Sequence, residues 1–131
     1  LGGITTGTID VEATIGEYAI VTVTEDVEFG DLSGATGTFT ADGCFMVETN
    51  AVVDVNVEFS PVNWLKSQTW FEIHDKTIGS GSNEYSQSTI FQQNHADGKK
   101  DYPIVGNLLI ASISEQASGT YTAQIKVTVS K

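Results

Sequence analysis

At 131 residues the chain is the size of one domain, and a 40% hydrophobic share suits a packed core rather than a disordered polymer. Seventeen acidic residues against six lysines and no arginine give a net charge of −11. That balance excludes the basic footprint needed for nucleic acid and electrostatic docking on anionic lipid, and no stretch approaches the ~20 apolar residues of a membrane span.

The first predicted element alternates from Thr8. Ile9, Val11, Ala13 and Ile15 are apolar, whereas Asp10, Glu12 and Thr14 are polar, the period of a half-buried strand. A strand this apolar needs a partner, because an unpaired edge invites aggregation. Two pairings are open: with the C-terminal strand of its own chain, or with a neighbouring molecule. Residues 17–24 read as a second strand, followed by EDVEFGDLSGATG, an acidic turn-rich stretch holding Val27 and Phe29. A short strand over 38–40 is expected to turn at Asp42-Gly43 into a buried strand over 44–49. Val53, Val55, Val57 and Phe59 alternate inward over 51–59, and Pro61 is expected to end that run.

Further along, TWFEIH (69–74) reads as a strand, GSGSN (79–83) as a flexible loop, 84–91 as a strand and QQNHADGKKDYP (92–103) as a polar connection. An apolar run follows over 106–114. The last strand, 120–130, turns Tyr121, Ala123, Ile125, Val127 and Val129 inward. No window of about eleven residues carries a helical period. The expected fold is all-β: an antiparallel β-sandwich of Ig-like or jelly-roll type with about eight to ten strands. It is expected as a single domain over 17–131, preceded by a separate segment, 1–16.

Little points to catalysis. His74 adjoins Asp75 and carboxylate pairs such as Glu25/Asp26 occur, but no nucleophile, zinc or phosphate-loop motif accompanies them, so no enzyme is expected. Glu25, Asp26, Glu28 and Asp31 cluster in a loop with glycines, the candidate ligands for a structural Ca²⁺. Trp64 and Trp70, with Phe71, Tyr85, Phe91 and Tyr102, supply aromatic faces on which surface glycans could stack. In TWFE, Trp70 and Phe71 must point to opposite faces, so at least one belongs to the core. The single cysteine, Cys44, can form no internal disulfide and reads as a small buried hydrophobe. The chain starts at Leu1 without an initiator Met, from which a removed leader and secretion to the cell surface are expected.

The leading strand is the most informative feature. Inserted into a neighbour that lacks one strand, it would gain main-chain bonds and place Ile4, Ile9, Val11, Ala13 and Ile15 in the subunit interface. Such a head-to-tail contact does not close, so it grows a filament. Glycines at 2, 3, 7 and 16 flank it as hinges. All six lysines lie at or beyond Lys66, and residues 1–65 carry eleven carboxylates and no base. A base-free front half could meet the lysine-bearing back half of the next subunit.

The stretches VTVTEDVEFGDLSGATGTFT, DGCFMVETNAVVDVNVEFS and ASGTYTAQIKVTVSK resemble subunits of secreted β-sandwich fibres: archaeal bundling pilins, the bacterial biofilm-matrix fibre and camelysin group, and coat or adhesive pilins. The resemblance covers 17–59 and 117–131; residues 60–105 match none of these. It implies an extracellular homopolymer joined by donor-strand exchange, with residues 4–15 completing a neighbour, and it carries over no catalytic residue. The competing expectation is a monomeric carbohydrate-binding or adhesive module.

Overall fold

The computed structural model describes residues 2–81 and 84–131. Eight strands form among them: β1 (Ala19–Glu25), β2 (Gly37–Thr49), β3 (Val53–Asn63), β4 (Thr69–Ile73), β5 (Lys76–Ser80), β6 (Ser88–Gln93), β7 (Lys99–Ile110) and β8 (Thr122–Ser130). The only helical turns among them are two short 3-10 turns, His95–Asp97 and Ile113–Glu115. One sheet has the order β1-β2-β7-β4-β5, the other β6-β3-β8, and every pairing is antiparallel. The two sheets pack face to face as a β-sandwich, as the alternation of apolar residues requires.

The core lies where those alternations meet. Val53, Val55, Val57 and Phe59 of β3 face Phe45 and Val47 of β2, Phe71 and Ile73 of β4, and Ile104 of β7. At one end a buried polar pair sits inside this apolar layer. The Tyr102 hydroxyl donates to Gln93 Oε1 at 2.7 Å, and Gln93 Nε2 donates to the Val47 carbonyl at 3.0 Å. Each polar side-chain atom of this pair thus has a partner, as burial demands. Burial, with the Asp97 carboxylate as a secondary cause, raises the Tyr102 pKa above its ordinary value. The folded chain therefore holds that proton more tightly than the unfolded chain. The stability this supplies is complete below about pH 10 and is lost as pH climbs through the raised value. A urea midpoint falling above about pH 10, and falling less in Tyr102→Phe, is the expected result.

Several sequence expectations change. Asp42-Gly43 is not a turn: β2 runs unbroken through it, with Gly43 opposite Ile104 of β7. Gly43 is there because Val27, from the segment after β1, sits on it. A Cβ at Gly43 would lie 2.6 Å from Val27 Cγ2, and one at Gly106 3.0 Å from Val27 Cγ1. The two glycines form a socket for Val27, not a bend. Gly43→Ala should therefore destabilise by about 1–3 kcal/mol through overpacking, read as a lower urea midpoint. Pro61 does not end β3; the strand continues to Asn63, and the pairing with β8 shifts register between Ser60 and Asn63, a bulge that accommodates a residue without an N–H. The polar stretch 92–103 is mostly strand: β6 ends at Gln93 and β7 begins at Lys99. Pro103 fits there because it lies one residue beyond the last partner of β4, so no bond to that strand is lost.

The expected loop at 79–83 is shortened, since Gly79 and Ser80 belong to β5; Ser82 and Asn83 lie outside the described residues. The strand expected over 84–91 starts only at Ser88. Residues 86 and 87 instead stitch the sheets together. The Ser86 carbonyl accepts from Gly79 N–H at 2.9 Å, and the Gln87 carbonyl accepts from Phe59 N–H at 2.7 Å. The 86–87 segment thus bonds to both sheets, and the Gly79–Ser86 bond closes the seam between β5 and β6. The opposite seam, between β1 and β8, has no such stitch among the described residues.

Candidate functional site

The unstitched seam is an open groove of about 810 Å³. One wall is β8 and the two residues before it, with 120–127 lining the groove continuously; the other is β1 and the segment after it, from Val23 and Glu25 to Gly30. Phe45, Phe59, Phe71 and Ile104 form its floor. A second hollow of about 620 Å³, between residues 30–34 and 116–121, adjoins it and shares Gly30, Trp64, Thr120 and Tyr121. The apolar face of β8 is only half covered: Ala123, Ile125, Val127 and Val129 pack against the core yet stay partly exposed. Val23, on the facing rim, is 63% exposed.

The backbone of β8 is equally incomplete. It pairs with β3 on one side and forms the edge of a three-stranded sheet on the other. None of the turn and loop backbone bonds engages it. Alternate N–H and C=O groups along that edge therefore face the groove without a main-chain partner among the described residues, the arrangement that accepts an added strand.

At one end the rims draw together. The Lys131 ammonium contacts the Glu17 carboxylate, and neither Val21 nor Val129 lines the groove. Asn50 clasps the chain where it enters β1, its Oδ1 accepting from Tyr18 N–H at 2.7 Å and its Nδ2 donating to the Gly16 carbonyl at 2.9 Å. Upstream of that clasp the chain leaves the body. Residues 2–16 join no ladder and are exposed throughout. Ile4 is 98% exposed, Ile9 91%, Val11 92% and Ile15 85%. The strands of the sandwich thus all lie between Ala19 and Ser130, and among the described residues the alternating segment pairs with neither β8 nor any other strand of its own chain.

Ile9, Val11, Ala13 and Ile15 share one parity, the period of one strand face; Ile4 is out of phase with them. The charges sort by face as well. Glu25, Asp26 and Glu28 crowd one rim, and Lys126 is the single cation lining the groove among the described residues. Lys126 lies opposite Glu58 in the β3–β8 register but has no ion pair among the described residues.

Other candidates are not assembled. Glu25, Asp26, Glu28 and Asp31 are all exposed, and no group of three metal-ligating side chains is placed to hold an ion among the described residues. Asp31 Oδ1 instead accepts from the N–H of Ser33 at 2.9 Å and from its hydroxyl at 2.5 Å, which lowers the Asp31 pKa. His74 lies against the Phe91 ring, 4.9 Å between centroids, with Asp75 Oδ1 3.9 Å from its Nε2. Trp64 is no free platform: its indole donates to Thr69 Oγ1 at 2.8 Å and its ring packs beside Phe29 and Phe59 in the groove wall. Trp70 stacks on Tyr85 at 6.4 Å. Sequence reasoning did not single out Lys126, Asn50 or the Val27 socket; none carries a motif, and only the sheet order brings them to the seam. A scan of protein-family models and a search of curated proteins return no match for this chain.

Proposed function

We propose that the protein is a structural subunit of an extracellular filament, a pilus or biofilm-matrix fibre, in which residues 4–15 of one copy complete the sandwich of the next. One observation carries this reading: an apolar strand stands free of its own body beside a sandwich with one unstitched seam. The complementarity supports it in kind and in length. A segment of twelve residues spans up to ~40 Å, enough to run the whole of β8. Burying Ile9, Val11 and Ile15 contributes on the order of 5–9 kcal/mol before ordering costs. The same contact repeated head to tail gives a fibre rather than a closed dimer. The resemblance of residues 17–59 and 117–131 to secreted fibre subunits points the same way.

Removal of residues 1–16 tests the reading. The expected product is monomeric by size-exclusion chromatography and forms no fibres by electron microscopy, whereas the full chain polymerises. Fibres from the shortened chain would refute the proposal. A second reading, a monomeric carbohydrate-binding module, draws on the stacked Trp70–Tyr85 pair; sugar binding lost in Trp70→Ala, with no fibre formed by the full chain, would favour it.

A further inference from the structure

The groove also dictates how the strand would lie, and this inference rests on the donor-strand reading above. Two constraints meet. The four groove-lining residues of one parity are Tyr121, which immediately precedes β8, and Ala123, Ile125 and Val127 of β8. The donor segment offers four in-phase apolar residues, Ile9 to Ile15. Setting four against four leaves two arrangements. Run parallel, Ile9 lies beside Tyr121 and Thr14 falls opposite Lys126. Run antiparallel, Ile15 lies beside Tyr121, Ala13 beside Ala123, Val11 beside Ile125 and Ile9 beside Val127; Asp10 then falls opposite Lys126.

We infer that the donor strand runs antiparallel to β8 with Asp10 opposite Lys126, so that this lysine fixes the register of the polymer. Three features of the site agree. Among the described residues Lys126 is the single cation lining the groove and makes no ion pair, although Glu58 of β3 lies opposite it on its paired side; only the antiparallel setting brings a donor-strand carboxylate opposite it on the open side. Asp10 and Glu12 then face outward, away from Glu25 and Glu28 on the facing rim. Gly7 falls beside Val129, at the end where Lys131 and Glu17 draw the rims together and neither Val129 nor Val21 lines the groove; a residue without a side chain suits that narrow place. The direction also follows from where the chain exits. Residue 17 leaves the body at the Lys131 end of β8. In a head-to-tail stack of like-oriented copies, the segment must enter the neighbour from its Thr120 end. Ile15 then sits nearest Tyr121, and earlier residues reach towards Lys131.

Cysteine pairs in the full-length Cys44→Ser chain test this. Directly opposed residues in antiparallel strands have Cβ atoms ~4.5–5.5 Å apart, close enough to relax into a disulfide, whereas a two-residue offset leaves ~7–8 Å. Fibres carrying Asp10→Cys with Lys126→Cys, assembled reduced and then oxidised, should lose the monomer band to a covalent ladder on a non-reducing denaturing gel. Fibres with Glu12→Cys or Thr14→Cys paired with Lys126→Cys should stay monomeric there. A ladder from the Thr14 pair overturns the direction, and one from the Glu12 pair overturns the register; both leave donor exchange intact. Reduced fibres that give no ladder from any pair also overturn the register. Absence of fibres from every reduced variant and from the Cys44→Ser parent, or an oxidised monomer cross-linked within itself, overturns donor exchange as well.

Discussion

Val11→Asp should abolish polymerisation and leave the monomer as stable as before. Val11 is 92% exposed in the isolated chain and touches no part of the core, so its replacement should change the body's stability by less than about 0.5 kcal/mol. In the proposed assembly the same residue would enter the groove between Ile125 and the aromatic floor. There the substitution forfeits the burial of a valine and places a carboxylate among apolar groups without a cation on that face. Together these cost at least about 4 kcal/mol, roughly a thousandfold in the association constant. Sedimentation velocity with a urea melt of the monomer separates the two effects. Unaltered fibres would mean that Val11 does not enter an interface; a destabilised monomer would mean that it belongs to its own core.

Phe59→Ala should produce the largest loss of fold stability among the groove residues. Phe59 is fully packed between the sheets, with Phe71 4.7 Å and Trp64 6.3 Å away between ring centroids. It is also the residue whose N–H is held by Gln87 at the closed seam. Truncation leaves a cavity that these two aromatic neighbours cannot collapse into, so about 3–5 kcal/mol should be lost. Against a total of ~5–15 kcal/mol that is a large share, and Tm should fall by roughly 10–20 °C. The groove floor deepens as well, so donor contacts weaken in whatever protein remains folded. Ile90→Ser, at an exposed β6 position, should leave Tm nearly unchanged.

Much of this architecture was legible in the sequence, and the failures have physical causes. Residues 53–59 alternate because β3 is covered on one face only, and the same holds for 121–129 of β8. Period-two patterning is read directly in such cases. Asp42-Gly43 misled because glycine signals either a turn or a close approach, and only the fold reveals Val27 lying over Gly43. The start of β7 was hidden by Lys100, which occupies an inward position in the alternation and sits over the Tyr102 ring, 5.6 Å from its centroid. The apolar strand at 9–15 was evident, but its two possible pairings were not distinguishable from local pattern. That choice depends on which seam of the sandwich is stitched, a property of residues 86 and 87 on the far side of the fold. The groove itself has no sequence signature, because its walls come from β1 and β8, which lie near opposite ends of the chain and in different sheets.

Complementation between two crippled subunits tests donor exchange most directly. One variant lacks residues 1–16 and keeps its groove; the other keeps its leading strand and carries Ile125→Asp in the groove. Neither should polymerise alone, and an equimolar mixture should give a one-to-one heterodimer by light scattering coupled to size-exclusion chromatography, with nothing longer. Two variants that stay monomeric when mixed, or a shortened chain that still builds fibres by itself, would contradict the account.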